Sequence, residues 1–102
     1  MQLEVSKRAL QQWLRILVYY NEKGGQCAAA NLHQKYLKKK DRLLKYPESG
    51  FLEPLLSDRK IRYRASVIND YYKIIYYVKG DTLRIAAFWD MRMHPDKLRK
   101  TI

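Results

Sequence analysis

The sequence predicts an α+β fold: a short N-terminal strand, an antiparallel two-helix hairpin and a C-terminal three-stranded antiparallel meander. Apolar residues recur about every 3.6 positions over residues 7–46, as in amphipathic helices. Over residues 60–90 they recur at about every second position, as in strands. No repeat or low-complexity tract divides the 102 residues, so we expect one domain spanning residues 1–102.

The two helices are predicted from their boundary residues and their apolar spacing. Residues 2–5 are expected to form a strand, and Ser6 is the expected N-cap of a helix that runs to about Glu22. Gly24 and Gly25 should end this helix, and a second should run from about Cys27 to Tyr46. The expected inner faces are Leu10, Trp13, Leu14, Leu17 and Tyr20 in the first helix, and Ala29, Leu32, Tyr36, Leu37, Leu43 and Leu44 in the second.

Three strands joined by tight turns are predicted after a loop over residues 48–59. They are expected at about 60–68, 71–78 and 83–89, with turns at Asn69-Asp70 and Lys79-Gly80-Asp81. Residues 91–102 are expected to be a basic tail. Because neither layer can bury its apolar side alone, the hairpin should cover one face of the sheet.

The formal charge of +11 is the most informative feature of the composition, because 21 Lys and Arg face only ten Asp and Glu. Such a field attracts nucleic acid, an acidic protein partner or anionic lipid. With one cysteine, no metal-ligand spacing, no glycine-rich phosphate loop and no Ser/His/Asp set, we expect neither a metal nor another cofactor. No secretory signal or membrane-length apolar run is evident, so we expect a cytoplasmic protein without a membrane partner.

Strand alternation predicts a cationic face on the sheet. Arg62 and Arg64 share one side of their strand, and Lys73 shares a side with Tyr71 and Tyr77 in the next. If the register brings these residues together on the open face, cations for phosphate would stand beside rings for base stacking. The alternative is an ordinary solvated face whose charges prevent edge pairing. A second cationic run, at positions 38–40, fits a solvated helix surface or part of a track for a polyanion.

The order and spacing of five segments resemble the RelE/ParE superfamily of bacterial toxins from type II toxin–antitoxin modules. The segments are Val5-Ser6-Lys7-Arg8-Ala9-Leu10, Tyr46-Pro47-Glu48-Ser49-Gly50, Arg62-Tyr63-Arg64, Tyr72-Lys73-Ile74-Ile75-Tyr76-Tyr77-Val78 and Trp89-Asp90-Met91-Arg92-Met93-His94-Pro95-Asp96-Lys97-Leu98. The resemblance implies a growth-arresting toxin that is neutralised by a cognate acidic or amphipathic antitoxin.

The resemblance leaves three functions open. A ParE-like toxin would bind and poison DNA gyrase without chemistry of its own, and the long hairpin and the Pro47–Gly50 corner favour it. A RelE-like toxin would cleave mRNA on the ribosome, and a third possibility is a nucleic-acid-binding module without toxicity.

Cleavage would need a base, cations and an acid. The resemblance suggests Lys60 as base and His94 as a substitute for a missing tail tyrosine. The suggested cations are Arg62, Arg64, Lys73 and Arg92. For target binding, strand alternation suggests Arg62, Arg64, Lys73, Tyr71 and Tyr77, and the resemblance adds Arg92.

Overall fold

A five-stranded sheet carries a helical hairpin on one face and a short C-terminal helix on the other. The computed structural model describes all 102 residues. The elements are β1 (Gln2–Val5), α1 (Lys7–Lys45), β2 (Phe51–Leu52), a 3-10 turn (Pro54–Leu56), β3 (Arg64–Val67), β4 (Tyr72–Lys79), β5 (Thr82–Asp90) and α2 (Pro95–Thr101). The strand order is β1-β5-β4-β3-β2, which confirms the predicted α+β class.

Helix α1 is interrupted at Gly25 and forms the predicted hairpin. Gly25 has φ 85° and ψ 177°, a region open essentially only to glycine, so the chain reverses there. The arms, residues 7–24 and 26–45, then run side by side, and the Trp13 indole N–H donates to His33 Nδ1 (3.0 Å) across them. Ser6 caps the first arm as predicted, because its hydroxyl accepts a hydrogen bond from the Ala9 N–H (3.1 Å).

The predicted meander is present as β3, β4 and β5, and two further strands extend it. β1 pairs in parallel with β5, and β2 pairs antiparallel with β3. The strand expected at 60–68 begins only at Arg64, because residues 60–63 belong to a loop in which the Tyr63 carbonyl accepts from the Glu53 N–H (2.9 Å). The Asn69 turn forms as predicted, with its side-chain oxygen accepting from the Tyr71 and Tyr72 N–H groups.

The main core lies between the hairpin and the sheet. Its fully or nearly fully buried members are Ala9, Trp13, Leu32, Tyr36, Leu43, Ile68, Tyr72, Ile74, Tyr76, Leu83, Ile85 and Phe88. Two residues expected in the first arm's inner face are not buried there, since Leu10 and Leu14 are 50% and 52% exposed. Both lie at one edge of the apolar stripe, and that edge is turned away from the sheet.

The second face of the sheet is covered, which corrects the expectation of an open cationic face. Leu56, Ala65, Ile75, Ala87, Trp89 and Leu98 form a second core there. Leu98 comes from α2, so the residues expected to be a basic tail fold back as a helix instead. Arg99 holds this helix in place through Asp58 (3.1 Å). The second face therefore offers no exposed surface at its centre.

None of the helical segments combines the length and the apolar character that crossing a bilayer requires.

Candidate target-binding surface

Arg64 lies on the hairpin side of the sheet rather than on the opposite side. In the β3–β4 register it pairs with Tyr76, and directly paired residues share a face. Its guanidinium donates to the Gly50 carbonyl (2.8 Å) and more weakly to the Glu48 carbonyl (3.5 Å). Arg64 therefore braces the corner between α1 and β2 as well as adding charge to it.

Tyr76 holds the same corner from inside the core. Its hydroxyl donates to the Pro47 carbonyl (2.7 Å) and accepts from the Gly50 N–H (3.0 Å). Gly50 has no room for a side chain, because a Cβ there would lie 2.4 Å from the Tyr76 hydroxyl. Burial raises the pKa of Tyr76 above its ordinary value, so this hydroxyl keeps its proton and keeps donating to a higher pH than an exposed tyrosine would.

The corner opens into a shallow depression of about 560 Å³ that carries three cations. Arg62, Arg64 and Lys45 line it, together with Tyr46 and residues 47–49 of the corner. Arg62 is exposed and lies within bonding distance of no carboxylate, and the same is true of Lys45. This corner is the part of the predicted arginine row that remains available to a partner.

Lys73 lies away from the arginines and is not available. It is 8% exposed, forms a salt bridge with the 3%-exposed Glu53, and lies 5.9 Å from the Phe51 ring centroid. In the register it pairs with Val67, which places it on the face opposite Arg64. The expected three-cation cluster of Arg62, Arg64 and Lys73 is therefore not formed.

Arg92 belongs to a separate cluster near the far end of β4. It forms a salt bridge with Asp90 (2.9 Å), and its guanidinium lies 4.3 Å from the Tyr71 ring centroid. The hydrogen bond from Arg92 lowers the pKa of Asp90, and the same bond raises the pKa of Arg92. Arg92 also donates to the Tyr72 hydroxyl (3.3 Å), and burial raises the pKa of Tyr72 to about 12.

The Arg92 cluster borders a cleft of about 430 Å³ between the first arm and the ends of β4 and β5. The cleft is lined by Gln12, Arg15, Ile16, Tyr19, Tyr72, Phe88, Trp89, Asp90, Arg92, Met93 and Thr101. This lining is mixed, with two arginines at a largely apolar depression. Its arginines, Arg15 and Arg92, are not the arginines of the corner, so the cleft and the corner are separate sites.

The three remaining predicted residues are dispersed. Tyr77 is half-buried and packs edge-on against Tyr63, with ring centroids 5.5 Å apart. Lys60 is exposed on the loop before β3. His94 is the N-cap of α2, where its Nδ1 accepts from the Asp96 N–H (3.2 Å), and its side chain is 69% exposed.

Sequence reasoning did not single out Lys45, Glu53 or Asp90. Lys45 is the last residue of α1, immediately before the predicted Pro47 corner, so its position was a usable signal. Glu53 is the one charged residue among Phe51, Leu52 and the apolar turn that follows, a pattern that a buried ion pair explains. Asp90 lies two residues before Arg92, a spacing at which an Asp side chain commonly accepts from the backbone N–H, so this pairing also had a usable local signal.

Residues 3–95 match the family model described as the ParE toxin of the type II toxin–antitoxin system parDE. The chain belongs to the ParE toxin family. This match spans nearly all of β1 and the whole of the hairpin, the corner and the meander, and it ends where α2 begins. No curated protein matches the sequence.

Three solved structures share the fold of this ParE-family chain. A chromosomal ParDE system from P. aeruginosa gives a TM-score of 0.71 at 19% identity, covering 88% of this chain and 95% of that one. A YoeB/ParE toxin from Agrobacterium tumefaciens gives 0.63 at 17%, covering 88% and 98%. A YoeB dimer from Staphylococcus aureus gives 0.60 at 17%, covering 85% and 92%. At these identities the likeness supports the fold alone.

Proposed function

We propose that this toxin arrests growth by binding DNA gyrase and that a cognate antitoxin neutralises it. The observation that carries this proposal is the dispersal of the residues that RNA cleavage would need. The dispersal favours a toxin that acts through a binding surface over one that acts through a catalytic centre.

The cations suggested for cleavage are attached to well-separated parts of the sheet. Arg64 pairs with Tyr76, and Arg92 follows Asp90, which pairs with Tyr72. Four residues of strand separate the two positions on β4, about 13 Å at 3.3 Å per residue. The suggested base and acid are also on different segments, because Lys60 is in the loop before β3 and His94 caps α2. General acid–base catalysis needs such groups within about 3 Å of the reacting atoms. Lys73, in its buried salt bridge, is on the other face.

The corner cations Arg62 and Lys45 are our proposed contacts to gyrase. They are exposed, free of carboxylate partners and held over a corner that Tyr76 and Arg64 brace. A rigid cationic corner suits association with an acidic surface, since electrostatic steering acts before contact and the braced backbone needs little ordering on binding.

The test is to incubate the purified toxin with gyrase, ATP and supercoiled plasmid, and in parallel with a translating extract. We expect trapped gyrase–DNA cleavage complexes and intact message. An Arg62→Gln/Lys45→Gln variant should trap less gyrase, whereas a Lys97→Gln/Lys100→Gln variant of equal charge should match the wild type. Message cut within codons, with gyrase unaffected, would establish a ribosome-dependent nuclease instead.

The first arm of the hairpin carries our proposed antitoxin surface. Leu10, Leu14 and Val18 follow one another at spacings of four residues and are each at least 50% exposed. Cationic Lys7 and Arg15 belong to the same arm and are also exposed. An exposed apolar stripe with cationic neighbours fits an amphipathic acidic helix, which would bury its own leucines there while its carboxylates meet the +11 field. A second copy of the toxin fits poorly, because the two copies would repel each other.

Substituting Leu14 tests this surface, with the antitoxin taken from a small acidic reading frame beside the gene. Leu14→Asn should weaken antitoxin binding about tenfold or more, since it removes a central apolar anchor. Val67→Asn, an equally polar change at an exposed residue of β3, is the control. Equal affinities for the two variants, measured by calorimetry, would exclude the first arm as the docking surface.

A further inference from the structure

A row of four cations runs along the second arm of the hairpin, on the side that faces away from the core. Lys35, Lys38, Arg42 and Lys45 lie three, four and three residues apart, so they share one face of the helix. All four are exposed. The buried residues of this arm, Leu32, Tyr36 and Leu43, point the other way into the main core.

The charges of this row are not neutralised within the chain. The one ion pair on the second arm joins Lys40 to Asp41 (3.1 Å), and no salt bridge involves any of the four row residues. At 1.5 Å per residue the row is about 15 Å long. Lys45 then adjoins Arg62 across the depression at the corner, so the unpaired charge continues beyond the helix.

The row differs from the first arm in having no apolar component. The first arm exposes Leu10, Leu14, Val18 and Tyr19, whereas no large apolar side chain of residues 26–45 is exposed. Protein partners that dock on helices need apolar anchors, but a phosphate backbone needs only well-placed cations and hydrogen-bond donors. The two arms therefore present chemically different surfaces on the two sides of one hairpin.

We propose that the cationic row binds the phosphodiester backbone of a nucleic-acid duplex, independently of base sequence. One strand of a DNA duplex carries about one charge per 3.4 Å of helix axis, so about 15 Å along the axis offers about four phosphates for the four cations. Only Tyr46, at the end of the row, could stack on a base, so the row is a poor platform for single strands. This activity goes beyond the proposed binding to gyrase and requires neither gyrase nor antitoxin.

The row would let the toxin hold the DNA that its target enzyme is already handling. A weak, sequence-independent site with a dissociation constant of about 10⁻⁴–10⁻⁶ M would raise the local toxin concentration on DNA. The apolar first arm would stay free for protein contact while the second arm faces the duplex.

The experiment measures binding of the isolated toxin to a labelled 20-base-pair DNA duplex by fluorescence anisotropy across a salt series. An RNA duplex is one comparison probe, because A-form and B-form duplexes share the phosphate chemistry. A single strand is the other, because the row has few rings on which its bases could stack. The test variant is Lys35→Gln/Lys38→Gln/Arg42→Gln/Lys45→Gln. The control, Lys23→Gln/Lys79→Gln/Lys97→Gln/Lys100→Gln, removes the same charge from exposed positions outside the row.

We expect the row variant to bind the DNA duplex at least about 30-fold more weakly at low salt, with a log–log salt slope shallower by about 3. The control should lose less than about fivefold, and both variants should unfold at the wild-type temperature. If the two variants lost equal affinity for the DNA duplex, binding would depend on net charge and not on the row, which would overturn the proposal. Wild-type toxin that does not bind the duplex would also overturn it. Preference for the single strand would overturn it as well, and loss of antitoxin binding with unchanged DNA binding would assign the row to a protein partner.

Discussion

Arg62 and Arg64 are two residues apart, yet their side chains meet different surroundings. Arg62 extends into solvent, whereas Arg64 is half-buried and donates to the backbone carbonyl of Gly50. The buried pair of Lys73 and Glu53 is a third outcome for a charged residue in this sheet. Three cationic residues thus differ in role: Arg62 is exposed, Arg64 braces the corner and Lys73 is buried in a salt bridge.

Alanine substitutions should separate these roles. Arg62→Ala should change the free energy of unfolding by no more than about 0.5 kcal/mol, as is usual for an exposed side chain. Arg64→Ala should cost about 1–2 kcal/mol more, because it leaves the Gly50 carbonyl without that charged donor. Urea denaturation measures both. Equal stabilities would mean that Arg64 does not brace the corner.

At the scale of elements, the reversal at Gly25 and the Tyr76-braced corner decide where the hairpin lies on the sheet. Gly25 makes the arms antiparallel, which sets the apolar first arm and the cationic second arm side by side. The corner then fixes the end of α1 against β3 and β4 through Pro47 and Gly50. The proposed surfaces on the two arms depend on the reversal at Gly25, and the proposed surface at the corner depends on the contacts of Tyr76.

Replacing Gly25 tests how much the reversal depends on glycine. Gly25→Asn should lower the free energy of unfolding by about 1–3 kcal/mol, because φ 85° with ψ 177° is closed to residues with a Cβ. Gly80, at φ 60° in the β4–β5 turn, is in a left-handed conformation that asparagine tolerates. Gly80→Asn should therefore lower the free energy of unfolding by less than about 1 kcal/mol. Thermal melts of both variants measure the two losses. A smaller loss at Gly25 than at Gly80 would contradict this assignment.

At the scale of the whole molecule, stability depends on pH through groups at both ends of the range. The raised pKa of Tyr72, about 12, means that the folded chain keeps this proton after the unfolded chain has lost it at about pH 10. This contribution is complete below about pH 10 and is lost as the pH rises to about 12. The lowered pKa of Asp90 acts oppositely: its contribution is present above about pH 4 and is lost as the pH falls further.

Tyr72→Phe should flatten the alkaline limb of the stability curve. Between pH 10 and about pH 12 the wild type should lose about 2 kcal/mol more than the variant in urea melts. The variant should retain some slope, since burial also raises the pKa values of Tyr36, Tyr63 and Tyr76. Identical alkaline limbs would show that Tyr72 does not titrate with unfolding.

On the acid side, Asp90→Asn should remove part of the decline in the free energy of unfolding below about pH 4.

Local periodicity, turn residues and the order of segments were enough to predict the α+β class, the helical hairpin, the three-stranded meander and the toxin family. The positions of the cations relative to the sheet could not be predicted in the same way, because they depend on strand limits and register. Alternation along the strand predicted at 60–68 groups Arg62 with Arg64, but β3 begins only at Arg64, and its register with β4 places Arg64 on the face opposite Lys73. Register depends on pairing between distant segments, which local periodicity does not reveal. The same physics turned the predicted basic tail into a helix, since Leu98 gains burial only when a second sheet face is available to cover.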